Sequence, residues 1–150
     1  MSVPAAQMAR QIQQQGQDTA QYIKSYFAYN LLFSSIASGS ALTVTTQVQT
    51  DADFLVQALS FFCIDLTTYT VYAAPDSTVQ LSDTGSTSTW FDQAIPISNV
   101  FGTGQYPFML PVPRLVIAGS AFTGTVTNTH STNAQYYMLT FHGRKLYKIG

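Results

Sequence analysis

Leu42-Thr43-Val44-Thr45-Thr46-Gln47-Val48-Gln49 decides the fold class. Leu42, Val44, Thr46 and Val48 alternate with Thr43, Thr45, Gln47 and Gln49, and a period of two puts successive side chains on opposite faces of an extended chain. The stretch predicts a half-buried strand. Downstream, Asp51-Ala52-Asp53 reads as a turn, Phe54 to Asp65 as a second and more continuously apolar strand, and Thr68 to Ala73 as a third, stopped by Pro75-Asp76. Val79 to Leu81 and Ser88 to Phe91 bracket residues 82–87 as a hairpin. Ile95 to Phe101 reads as an edge, because Pro96 cannot donate to a ladder. Pro107, Pro111 and Pro113 enforce extended backbone around Phe108-Met109-Leu110, and Leu115 to Ile117 follows. Ser120 to Asn128 alternates again, with Phe122, Gly124 and Val126 on one face. Ala134 to Phe141 closes the series with large side chains on both faces. Short strands at this spacing, with no helix-length pattern between them, exclude a parallel βαβ sheet and predict an all-β sandwich or barrel. The strand count and the lack of a Cys…Trp…Cys spacing favour a jelly-roll-like β-sandwich, placed at residues 40–150.

Residues 1–39 read differently. Pro4 can open a helix, and Ala5, Met8, Ala9, Ile12, Gly16, Ala20, Ile23 and Phe27 recur at spacings of three and four. The opposite face is rich in glutamine. The sequence therefore predicts an N-terminal α-helical arm whose narrow apolar stripe must lie on another surface. Tyr26 to Ala41 superficially resembles a signal segment, but its glutamine-rich leader is a poor n-region and Asn30 interrupts it. No run of eighteen apolar residues occurs, so no membrane partner is expected.

The composition bounds the function. In 150 residues only 9% are charged, against about 25% in an ordinary soluble domain, and the formal net charge is −1. That removes the electrostatic case for a nucleic-acid partner. With 13% aromatic residues the chain is not a disordered tail. Its polar character comes from 19 Thr, 14 Ser and 14 Gln with no Glu, and such groups enter an interface at far lower cost than ions. This suits a protein packed against other protein. The single cysteine, Cys63, lies in an apolar run and reads as a buried small hydrophobe in a chain made in a reducing cytoplasm.

Catalytic patterns are weak. His130 and His142 are not joined by further ligands at metal-binding spacing, so no metal or cofactor is expected. Asp51 and Asp53 fit turn-forming aspartates better than a calcium loop. Ser120 with His142 lacks a G-x-S-x-G elbow, and Gly102-Thr103-Gly104 precedes no helix. An enzyme is not expected. The residues expected to make protein contacts are Met8, Ile12, Ile23 and Phe27 on the arm, Tyr106 and Phe108 in the proline-rich edge segment, and Arg144 and Lys145 in the basic C-terminal stretch.

The run Asp51-Ala52-Asp53-Phe54-Leu55-Val56, the stretch Val100-Phe101-Gly102-Thr103-Gly104-Gln105-Tyr106-Pro107-Phe108-Met109-Leu110-Pro111, residues 119–128 and the closing residues 139–147 resemble small tailed-bacteriophage virion proteins. The likeness is to jelly-roll cement or decoration proteins of the capsid exterior, and covers residues 50–148. It implies a virion protein made in the host cytoplasm, whose partners are the major capsid protein and further copies of itself, as a dimer or trimer. The arm departs from that pattern. A receptor- or sugar-binding module of a tail or fibre stays open as an alternative, with Trp90, Tyr106 and Tyr136 as stacking rings. A head–tail neck protein is a further one.

Overall fold

The computed structural model describes residues 22–85 and 89–148. Eight strands and one helical turn follow in order: β1 (Tyr22–Ile36), β2 (Ala41–Gln47), β3 (Asp53–Asp65), β4 (Ser77–Asp83), β5 (Ile95–Pro96), α1 (Ile97–Val100), β6 (Phe108–Val116), β7 (Ala121–Asn128) and β8 (Gln135–Lys148). They form two four-stranded antiparallel sheets, ordered β1-β8-β3-β6 and β2-β7-β4-β5. The pairs are nested: first with last, second with seventh, third with sixth, fourth with fifth.

The sheets face each other across one core. Phe27, Tyr29, Leu31 and Phe33 point inward from β1 at a period of two, and Tyr137, Leu139 and Phe141 do so from β8. From the opposite sheet β7 sends in Phe122 and Val126, and β4 sends in Val79 and Leu81. Phe122 lies 4.4 Å from Phe141, 5.8 Å from Tyr29 and 6.1 Å from Phe54, centroid to centroid. Between Phe122 and Val126 stands Gly124, where a Cβ would come within 2.7 Å of Leu31. Buried polar groups other than Ser60 sit toward the ends of the strands, and every buried side-chain nitrogen or oxygen among the described residues has a partner. Asn128, for example, donates to the carbonyls of Ile36 and Asn133.

Several sequence expectations are corrected. Residues 22–36, placed in the helical arm, are β1, and most of the arm (residues 1–21) lies outside the described residues. The spacing of three and four ending at Ile23 and Phe27 hid the overlapping alternation of Phe27, Tyr29, Leu31 and Phe33, which long-range pairing with β8 satisfies. Residues 68–73 form no strand beyond a single bridge of Val71 to Ile64. There the Asp65 carboxylate accepts the amides of Thr67 and Thr68, and the turn ends in Tyr69 at φ +59°. Of the predicted hairpin partner at 88–91, the described part makes one bridge, Thr89 to Ser82. Ile95 to Phe101 is two strand residues and then the α1 turn. Residues 108–116 are one strand and not two, because β6 bulges at its prolines. Leu110, Pro111, Val112 and Pro113 all lie between the pairs Ala58–Met109 and Val56–Arg114, opposite Gln57 alone. Finally, β8 runs on to Lys148, through the stretch read as a basic tail.

Two outcomes follow from this packing. A chain beginning at Ser40 will not unfold cooperatively. It lacks Tyr29, Leu31, Phe33 and Ile36, whose burial contributes about 6–12 kcal/mol, comparable to the whole stability of a domain. Gly143→Ala will cost about 3 kcal/mol or more in urea unfolding, because the added Cβ would sit 1.9 Å from the Leu55 carbonyl oxygen.

Candidate functional site

The outward face of the β1-β8-β3-β6 sheet is built in rows set by strand register. Tyr26, Arg144, Leu55 and Leu115 form one row, and Ala28, His142, Ala58 and Met109 the next. Asn30, Thr140 and Ser60 follow, then Leu32, Met138 and Phe62, and last Tyr136, Ile64 and Val71. The middle is polar and tightly bonded. His142 bonds Ser60 Oγ through Nε2 at 2.6 Å and the Tyr26 hydroxyl through Nδ1 at 2.9 Å, and Thr140 bonds Asn30 at 2.8 Å. Burial pulls the His142 pKa below its ordinary value, so the ring is neutral at pH 7 and can serve both bonds. His142 therefore meets Ser60, not the Ser120 considered in the sequence. Ser60 is buried beside Gly102, whose carbonyl accepts the Phe61 amide and whose amide donates to Leu59. The cluster ties β1, β8 and β3 to the segment that begins at Gly102.

Two apolar surfaces flank that polar band. One is the pair of rows holding Leu32, Phe62, Ile64 and Val71. The other follows the β6 bulge, where Met109, Val112 and Leu115 are exposed, Val112 to 77%. Against the bulge lies a cleft of about 390 Å³ walled also by Leu59, Trp90, Phe91, Val100 and Phe108. Arg114 stands at its rim. Its Nε donates to the buried Asp83 carboxylate at 3.2 Å, the same oxygen takes the Trp90 indole N–H at 2.9 Å, and the guanidinium lies 4.8 Å from the Trp90 ring centre.

The residues expected to make contacts are scattered. Met8 and Ile12 lie outside the described residues. Ile23 is a β1 position opposite Tyr147, not a helix-face residue. Phe27 points inward against Tyr29, its ring 4.2 Å from Lys145 Nζ. Tyr106 is exposed, Phe108 lines the cleft, and Arg144 is exposed on the outer face. Lys145 is a correction: it is buried, not presented to a partner. Its ammonium donates to Gln49 and to both oxygens of Asp51 at 3.1 Å. Burial pulls its pKa down, but the Asp51 hydrogen bonds together with the electrostatic effects of Tyr29, Asp51 and Tyr147 outweigh that and leave it raised. Strand alternation explains the reversal, since residue 144 faces out and residue 145 faces in. Of the rings offered for sugar stacking, Trp90 is half-buried under Arg114, Tyr136 is half-buried against Phe62, and Tyr106 stays open.

Leu32, Phe62, Val71, Met109, Val112 and Leu115 were not among the contact residues expected from the sequence. A signal was present for Phe62. Phe54 to Asp65 is apolar almost without alternation, and a strand with one solvated face would alternate. Cys63 is buried as expected, donating to Gln135 Oε1, and burial raises its thiol pKa to about 12.

No family model matches the sequence, and no curated protein matches it. Among solved structures, the chain resembles the capsid asymmetric unit of cyanophage Pam1 at 15% identity and TM-score 0.39, covering 82% of this chain and 86% of that one. It resembles the Drosophila NLP core, described for pentamer formation and histone binding, at 15% identity and TM-score 0.34, over 81% and 97% of the two chains. It resembles latent PorU of Porphyromonas gingivalis at 9% identity and TM-score 0.39, covering 84% of this chain but spanning only 13% of PorU. Likenesses this distant carry no argument about function.

Asp65 sets an acid limit. The Thr68 amide foremost, then Asn133 and the Thr67 amide, hold its carboxyl at about 2 rather than the ordinary 3.8, against the opposing effect of burial. Its folded pKa is depressed, so the stability it contributes is complete above pH 4 and is lost as pH falls through about 2. Urea unfolding between pH 5 and 2 will show this loss, and Asp65→Asn will be less stable at neutral pH with a flatter acid dependence.

Proposed function

We propose that the chain is a structural protein of a tailed-phage virion, seated on the capsid exterior and cementing neighbouring major capsid subunits as a homo-oligomer. The nested strand pairing supports a jelly roll, a fold used for shells and for binding. The resemblance to phage cement proteins read in residues 50–148 suggests the virion setting, without a matching family model or curated protein beside it. The observation that carries the reading is the exposed apolar side chains on the outer face and at the β6 bulge. An antiparallel sandwich in free solution ordinarily keeps such faces polar.

In this reading the protein works by contact, with no catalytic step and no cofactor. The β6 bulge is the shell contact. Pro111 and Pro113 deny it the amides needed to accept a foreign strand, so Met109, Val112 and Leu115 bind as a surface and not as an added strand. Few ions are available to the contact, so salt should not loosen it. The apolar contribution is not screened, whereas exposed ion pairs are screened within about 3 Å at molar salt.

Quantitative staining of purified particles and of tail-less, DNA-filled heads tests the reading. The chain should be present in both, on the order of hundreds of copies, held in molar salt and released by urea or heat. A dozen copies or fewer, or presence only with tails, would contradict it and favour the neck or fibre alternatives. Val112→Asp should weaken rebinding to stripped heads by at least about tenfold.

A further inference from the structure

We infer that the outer rows Leu32–Met138–Phe62 and Tyr136–Ile64–Val71 are the surface on which two copies of this chain meet, face to face about a two-fold axis. This deepens the proposed oligomer by naming its contact, and it is separate from the β6 bulge assigned to the shell.

Four features point to this surface. First, it is continuous. Met138 lies opposite both Leu32 and Phe62 in the ladder, the Phe62 and Tyr136 rings are 6.2 Å apart, and Ile64 bridges to Val71 on the strap that follows β3. Second, it is large. Leu32 at 47% exposure, Phe62 at 44% and Val71 at 57%, with the half-buried members, leave roughly 400 Å² of mostly apolar surface open. Two such faces bring together about 800 Å² of apolar core, which a polar rim would carry to the lower bound of about 1,200 Å² for a specific interface. Third, these rows contain no ionisable side chain apart from the tyrosine hydroxyls, whereas the rows at the other end of the face carry His142 and Arg144. A two-fold contact sets a patch against itself, so any ion within it would meet its own copy; an ion-free patch suits that symmetry. Fourth, β3 and β8 carry large side chains on both faces, the pattern of strands covered on both sides. The sandwich covers only their inner faces.

Sedimentation equilibrium of the full chain, from low to high micromolar concentration, tests this. The wild type should form a dimer, and Phe62→Asp should raise its dissociation constant by at least about thirty-fold while keeping the wild-type unfolding midpoint. Val112→Asp, on the β6 bulge, should dimerise like the wild type. Val71→Asp, outside the eight strands, carries the same expectation as Phe62→Asp should that variant fail to fold. The inference is overturned by a wild type that stays monomeric at high micromolar concentration, by a trimer, by unaltered dimerisation of Phe62→Asp or Val71→Asp, or by dissociation of Val112→Asp instead. Particle copy number is measured independently, so a monomer that still coats heads in hundreds of copies removes this surface and leaves the cement reading standing.

Discussion

The fold depends on contact between rings that the chain delivers from far apart in sequence. Phe122 on β7 meets Tyr29, Phe54 and Phe141, which come from β1, β3 and β8 of the opposite sheet, and Trp90 lies 6.1 Å away at the side. Tilted and edge-on rings of this kind add about 0.5–1.5 kcal/mol per pair beyond their area. Because β8 lies between β1 and β3, the ladder brings the two ends of the described chain side by side, Tyr22 opposite Lys148. Few contacts are local, and a chain of this topology is expected to fold slowly.

With the inner faces committed to that core, the outer faces are free for other work, and the molecule treats its regions differently. The centre of the β1-β8-β3 face is closed by two bonded sets, Tyr26–His142–Ser60 and Asn30–Thr140. The β2–β7 pair is lined by threonines that bond across the strands, Thr43 with Thr125 and Thr45 with Thr123. Large apolar side chains stand out at one end of the first sheet and along the β6 bulge. Solvation by hydroxyls in one place and bare hydrocarbon in another is the distribution that contact with neighbours would use. A uniformly charged surface would oppose it.

Much of the sandwich was legible in the sequence because alternation is a local signal. Leu42 to Gln49 and Ser120 to Asn128 read directly as β2 and β7. β1 was not legible as a strand: its aromatic and aliphatic residues fit a spacing of three or four as well as two, and only pairing with a strand more than a hundred residues away decides between them. Thr68 to Ala73 failed for a different reason, since the Asp65 side chain captures the amides a strand would have used. At the candidate surfaces, composition pointed to a contact protein but could not locate the contact. Lys145 and Arg144 are neighbours in sequence, yet one is buried on Asp51 and the other exposed, a distinction set by the phase of a strand that the basic stretch itself conceals.

The central claim is that apolar exterior surfaces, and not charge or chemistry, are what this chain uses. A reconstruction of the assembled particle by electron cryo-microscopy tests it most directly. The account predicts density for the chain outside the shell, with Met109, Val112 and Leu115 seated on the shell and Phe62 and Val71 closed against a second copy. A map in which both surfaces face solvent while Arg144 carries the contacts, or in which the chain lies inside the shell, would contradict it.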